Sequence, residues 1–227
     1  MATHLDIDVE AVKRVIQESI DSARRVLDEL DQAREQLIRL SRDVIRESGR
    51  AIVEVHKGDL EAAMNHMRLC EEATMNLLSL ARKYPQLLYT GLVNNAVSEY
   101  VEAKLFLVLV TEGRLLSYEE LSGMGIPLVP YLQGLGDLVG ELKRLALESV
   151  RRSDYDTAWR LLGVAEALYL ELQTLDYPDA LLPGVRRKAD VARRIVDDLK
   201  AILVDLSKRD ELARLLRLNL ESLGRSG

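Results

Sequence analysis

The stretch Val97-Ser98-Glu99-Tyr100-Val101-Glu102-Ala103-Lys104-Leu105-Phe106-Leu107-Val108-Leu109-Val110 decides the fold. Its apolar side chains fall on nearly every side of a helix, which marks a helix buried all round. Two carboxylates, Glu99 and Glu102, are embedded in it at i and i+3 and so share a face. A second mostly apolar stretch, Tyr131-Leu132-Gln133-Gly134-Leu135-Gly136-Asp137-Leu138-Val139-Gly140-Glu141-Leu142, repeats the arrangement. Here Asp137 and Glu141 lie at i and i+4, again on one face. Gly136 and Gly140 each precede a carboxylate, and each costs roughly 1 kcal/mol of helix stability against Ala. What they return is space, for close helix contact or for the backbone of a ligand.

Outward from these two segments the pattern stays helical. From Val9 to about Val55 apolar residues recur at three and four, and no Pro or Gly interrupts before Gly49. Such a helix would approach about 70 Å, longer than a globular helix needs, and offers a packing surface for partner subunits. Gly58-Asp59 reads as a stop followed by an N-cap. A second helix runs to about Lys83, where Pro85 breaks it. A third runs from about Gln86 to Thr111, closed by Gly113, and a helical turn is possible over Tyr118 to Leu121. A fourth runs from about Val129 to Arg152, a fifth to about Leu175, a sixth from Val185 to Leu206, and a shorter seventh to about Leu223. Ser153-Asp154 resembles the Gly58-Asp59 joint, and ordinary capping explains both. No strand candidate emerges, so the fold class is all-α, one helical domain over residues 1–227 with a long N-terminal helix.

Composition narrows the classes. Aromatic residues are only 4%, so core packing falls to Leu, Val, Ile and Ala, as in helix bundles. The net charge of -6 argues against coating nucleic acid by bulk charge, though not against a local basic groove. Cys70 is the only cysteine, which rules out an internal disulfide and fits a reducing, cytoplasmic setting. Met1 is followed by polar and acidic residues, so no signal peptide is expected. The run Leu105 to Val110 is too short to cross a bilayer, so no membrane partner is expected.

Four carboxylates brought together in apolar surroundings would repel one another and resist ionisation. A divalent cation relieves that, and Mg²⁺ or Mn²⁺ prefers oxygen ligands, keeps waters and activates them against phosphate esters. His4, His56 and His66 all lie on early segments, far in sequence from either pair, so the Glu-x-x-His pairs of di-iron bundles are absent. The plainer alternative is that both acidic pairs face solvent.

Three ordered blocks resemble the translin superfamily. Ser41-Arg42-Asp43-Val44-Ile45-Arg46-Glu47-Ser48-Gly49-Arg50-Ala51-Ile52 looks like its first-helix signature. Thr90-Gly91-Leu92 with Glu99-Tyr100-Val101-Glu102-Ala103, and Pro130-Tyr131-Leu132 through Asp137 to Glu141-Leu142, resemble the blocks of its translin-associated factor X (TRAX) branch. The resemblance spans about Leu30 to Leu206. It implies a seven-helix translin-like fold assembled into hollow, usually octameric particles. The TRAX-type subunit is the endoribonuclease, whereas translin binds single-stranded RNA and DNA without cutting. Carried over, Glu99, Glu102 and Asp137 are the catalytic residues, and Glu102, Asp137 and Glu141 hold Mg²⁺ or Mn²⁺. The chain lacks the long insertion and basic N-terminal extension of animal TRAX, and so resembles a minimal, archaeal-type member acting as a homo-octamer.

Arg39, Arg42, Arg46 and Arg50, spaced three, four and four apart, form one stripe suited to RNA phosphates. Asp43 and Glu47 interleave, so a salt-bridged solvated face is the competing reading. Arg186-Arg187-Lys188 with Arg193-Arg194 forms a second basic cluster, but consecutive residues point in different directions, which disfavours a single groove. Tyr89, Tyr100 and Tyr131 could stack bases, although apolar helical positions favour the core, and Trp159 is expected in the core or an interface. The leading expectation is a metal-dependent endoribonuclease for single-stranded RNA. A non-catalytic binder of single-stranded RNA or DNA is the alternative. An all-α nucleotide pyrophosphatase is a third, weakened because its second acidic pair is Glu-x-x-Asp whereas here it is Asp-x-x-x-Glu.

Overall fold

The computed structural model describes residues 7–88 and 90–224, with side chains described as far as residue 217. Among the described residues there is no strand. Helix α1 spans Val9–Lys57, with Asp8 accepting from the Ala11 amide at its start and Gly58 in the left-handed region at its end. Helix α2 spans Leu60–Lys83, and Asp59 caps it through the Ala62 amide. Pro85 opens a short α3, Pro85–Leu88. Helix α4 is Gly91–Glu112, closed by left-handed Gly113. A Ser117–Glu120 capping box starts α5, Tyr118–Gly123. Helices α6, Leu128–Arg151, and α7, Tyr155–Gln173, follow, and α8 spans Val185–Gly224.

Two boundaries differ from the sequence reading. The expected third helix is divided into α3 and α4, because the chain re-initiates at Thr90 in an extended conformation. The expected sixth and seventh helices are one, since no Gly or Pro interrupts them and exposed Arg209–Asp205 and Lys208–Glu211 pairs bridge the join. The two look-alike joints share one geometry. Gly58 and Ser153 both have positive φ, at 83° and 63°, and each is followed by an Asp N-cap.

Helix α4 lies at the centre, packed against α1, α2 and α6, while α6 packs in turn against α7 and α8. Tyr100 and Phe106 are fully enclosed in that core. Position alone thus explains the all-round apolar character of α4. Helix α1 behaves in the opposite way, because none of its residues before Ala33 is buried. Val9, Val12, Ile16, Ile20 and Leu27 are all exposed along that free half. No helix among the described residues is long and apolar enough to cross a membrane.

Candidate functional site

Gly134 sets the distance between the two acidic helices. A Cβ there would stand 2.6 Å from Val101 Cγ1 and 3.1 Å from the Glu102 backbone nitrogen, so only glycine lets α6 lie this close to α4. The two acidic faces meet as a result. Glu102 is buried, 8% exposed, and Glu99, Asp137 and Glu141 are half-buried. Burial, then the charges of Asp137, Glu99 and Glu141, push the Glu102 carboxyl up to about 9. Glu99 is raised by burial first and by Asp137 next, against the pull of Lys188. Asp137 is also raised by burial, with the Lys188 hydrogen bond working the other way. The solvent-facing alternative therefore fails for Glu102.

Two further residues join the cluster, and the sequence reading missed both. The Lys188 ammonium, from the first turn of α8, donates to Asp137 Oδ2. Gly136 makes room for it, since a Cβ there would lie 2.8 Å from Lys188 Cβ. His56, near the end of α1, places Nε2 2.5 Å from Glu141 Oε2, with its ring 4.9 Å from the Phe106 ring. No histidine is close to either acidic pair in sequence, yet His56, 85 residues from Glu141, is adjacent to it in space. Gly140, by contrast, has nothing within 4 Å of where its Cβ would stand.

The donor set suits a hard divalent cation, being all carboxylate around a buried, charge-strained Glu102. Glu102, Asp137 and Glu141 are the residues that would hold it. The arrangement is open, however. Among the described residues, no three His, Cys, Asp or Glu side chains converge as a ready-made cage. Lys188 and His56 instead engage Asp137 and Glu141. A cation bound by Asp137 would compete with Lys188.

All four arginines of the α1 stripe are exposed. Arg46 pairs with Asp43 and Glu47, and Arg50 with Glu47. Buried Glu47 also bonds His66 at 2.7 Å, and these partners hold its carboxyl below the usual range against the cost of burial. Arg39 and Arg42 have no carboxylate within 4 Å among the described residues. No hydrogen bond or ion pair among the described residues links the stripe to the carboxylate cluster.

The second basic cluster does not share a single groove, as its alternating directions led one to expect, but two of its residues line one cleft. A cleft of about 430 Å³ beside Asp137 is lined by Arg187 and Lys188 together with Asn95 and Gln133. It wraps the start of α8, so neighbouring side chains reach it from two sides, while Arg186 lines a separate cavity with Tyr177 and Asp179. Tyr100 is fully buried, its hydroxyl 3.2 Å from Glu71, and cannot stack on a base. Half-buried Tyr131 donates to the Leu116 carbonyl and tilts against Tyr118. Tyr89 lies outside the described residues. Trp159 is 37% exposed, so it is not a core residue.

A fold that is all helical among the described residues, with paired carboxylates on the facing sides of its two central helices, defines the class, and the chain belongs to the Translin family, whose model matches residues 32–210. Within it, the chain is 28% identical over 190 residues to an uncharacterised protein of Methanocaldococcus jannaschii, covering 82% of this chain and 83% of that one. It is 26% identical over 187 residues to Translin-associated protein X of Rattus norvegicus, covering 65% of this chain and 64% of that protein. AfC3PO in a duplex RNA complex superposes with a TM-score of 0.75 at 30% identity, over 87% of this chain and 98% of that one. Apo-NeC3PO, at 23% identity and a TM-score of 0.72 over 82% of this chain and 95% of that one, shares the fold.

Proposed function

We propose that this chain is a Mg²⁺- or Mn²⁺-dependent endoribonuclease that cuts single-stranded RNA. In this reading it works in the cytoplasm as a single-domain protomer of a hollow homo-oligomer, with the homo-octamer as the form its family resemblance implies. The observation that carries the reading is the placement of Glu99, Glu102, Asp137 and Glu141 on facing sides of α4 and α6, near enough for their charges to raise the Glu99 and Glu102 carboxyls. Such a concentration of carboxyls, with Glu99, Glu102 and Asp137 raised, marks a site better than a stabilising device, because like charges under burial cost stability. The likeness to a protein solved with duplex RNA supports RNA as the ligand. The free apolar stripe of α1 supports self-association.

In this reading Glu102, Asp137 and Glu141 hold the cation. Glu99, raised by burial and by Asp137, orients the attacking water and accepts its proton, since a base is most effective when its affinity for the proton approaches the working pH. Bound there, the cation would lower the proton affinity of that water and offset charge on the phosphate. The exposed Arg39 and Arg42, with Arg46 and Arg50, hold the RNA backbone away from the cut. Incubation of labelled single-stranded RNA with and without Mn²⁺ tests the proposal, using the parent chain and Glu102→Gln. Cleavage stimulated by Mn²⁺ in the parent and lost in the variant is the expected result, and equal cutting by both would sink it.

A second reading has a specific observation in its favour. Lys188 bonds Asp137 and His56 bonds Glu141, so two of the four carboxylates have side-chain partners within the protomer. In that reading the four carboxylates are structural and the chain is a non-catalytic binder of single-stranded RNA or DNA. Retained RNA affinity with no Mn²⁺-stimulated cleavage would select it.

A further inference from the structure

The cleft beside Asp137 has features that neither the carboxylate chemistry nor the α1 stripe uses. It opens where α4, α6 and the start of α8 meet, and its volume of about 430 Å³ is that of a small-molecule pocket. Gln133, 7% exposed, forms part of its wall. The Gln133 side-chain nitrogen donates to the Pro183 carbonyl at 2.7 Å, which fixes the carboxamide and leaves Oε1 as a buried acceptor with no donor. Buried acceptors are ordinarily satisfied, so an orphan at the wall of a cleft calls for a ligand N–H. Exposed Asn95 adds a second carboxamide, whose side chain makes no hydrogen bond among the described residues. Arg187 supplies a guanidinium that has no carboxylate within 4 Å among the described residues. Lys188 spans the two regions, lining the cleft while bonded to Asp137.

We infer that this cleft is a nucleotide subsite, taking the nucleotide next to the phosphate that is cut. Arg187 grips a phosphate through its planar fork. Gln133 Oε1 accepts from an amino or imino group on the base edge, and Asn95 meets that edge from α4. A base edge engaged by two carboxamides is not available to a complementary strand, and the cleft holds one nucleotide, not a base pair. The ligand class is therefore an unpaired ribonucleotide, within a single strand or at a frayed end, and a preference among the four bases follows. The inference rests on the RNA-cleavage reading for its role but not for its test.

The test uses the full chain in EDTA, where no metal-dependent cleavage occurs. Each of the four nucleoside 5′-monophosphates, and ribose 5-phosphate as a base-free control, is titrated and followed by ligand-observed NMR. Saturable nucleotide binding is expected, at least tenfold tighter for the best nucleotide than for ribose 5-phosphate, and weakened at least tenfold by Arg187→Met. Asn95→Ala should narrow the spread among the four bases. Both side chains are exposed, and an unchanged thermal melt establishes that the variants fold. No saturable binding, equal binding of ribose 5-phosphate, or no effect of Arg187→Met would overturn the subsite while leaving Mn²⁺-stimulated cleavage as an independent result.

Discussion

The Lys188 ammonium hydrogen-bonds the Asp137 carboxylate, joining α8 to α6 across 51 residues of chain. It places one positive charge among four carboxylates, where its field lowers the pKa values of Glu99 and Glu102 as well as that of Asp137. Lys188 thus offsets part of the cluster's own repulsion, as does Arg144 3.9 Å from Glu141.

Removing that charge should therefore separate stability from metal affinity. Lys188→Met is expected to lower the melting temperature of the metal-free protein, because Asp137 is left half-buried without its partner. It is also expected to strengthen Mn²⁺ binding, since nothing need be displaced from Asp137. Thermal melts with and without Mn²⁺ read both effects. A variant that lost its Mn²⁺-induced stabilisation would show that Lys188 helps hold the cation, contrary to this account.

The pH dependence of stability follows from Glu102, raised in the folded state to about 9 from its ordinary 4.5. Between those values the folded chain binds more protons than the unfolded one. The stability associated with the protonated carboxyl is thus fully present below about 4.5 and is lost as pH rises toward 9. Metal-free protein should melt lower at pH 8.5 than at pH 5.5, and Glu102→Gln should reduce that slope. Stabilisation by Mn²⁺ should grow across the same interval, because the ligands must be deprotonated. A slope identical in parent and variant would place the titration elsewhere.

The glycines of α6 show which parts of the site could be read in the sequence and which could not. The apolar run of α4 and the paired carboxylates announced themselves by periodicity, as did the Asp59 and Asp154 caps by residue type. Gly136 and Gly140 looked alike in sequence, but one touches α8 and the other faces open space. His56 and Lys188 stand 85 and 51 residues from their partners, and no local spacing encodes such contacts. The unbroken α8 was hidden because its join rests on side-chain pairs around an otherwise polar stretch.

That difference between glycines can be measured. Gly136→Ala should destabilise the protein by about 1–3 kcal/mol, as a methyl forced against a packed neighbour does, because its Cβ would meet Lys188 Cβ at 2.8 Å. Gly140→Ala should stabilise by up to about 1 kcal/mol, the helix-propensity difference. Urea unfolding of both variants decides it. If Gly140→Ala also keeps its stability gain while losing RNA binding, the open space beside Asp137 and Glu141 is where the RNA backbone approaches.

Self-association is expected to run through the free half of α1. Ile16 and Ile20 are 56% and 50% exposed, and nothing among the described residues covers them. An apolar stripe of that kind is stable in water only when a partner removes it from solvent. The double variant Ile16→Asp with Ile20→Asp should leave the protomer folded, since no buried contact is lost, yet reduce the mass seen by light scattering toward the 25.6 kDa of one chain. Burying a carboxylate without a partner at such an interface is strongly unfavourable, so even one pair of substitutions should suffice. Parent and variant sharing one multimeric mass would move the interface to another face. A parent that is already a monomer at micromolar concentration would remove the hollow particle while leaving the carboxylate cluster, which lies within one protomer, as it stands.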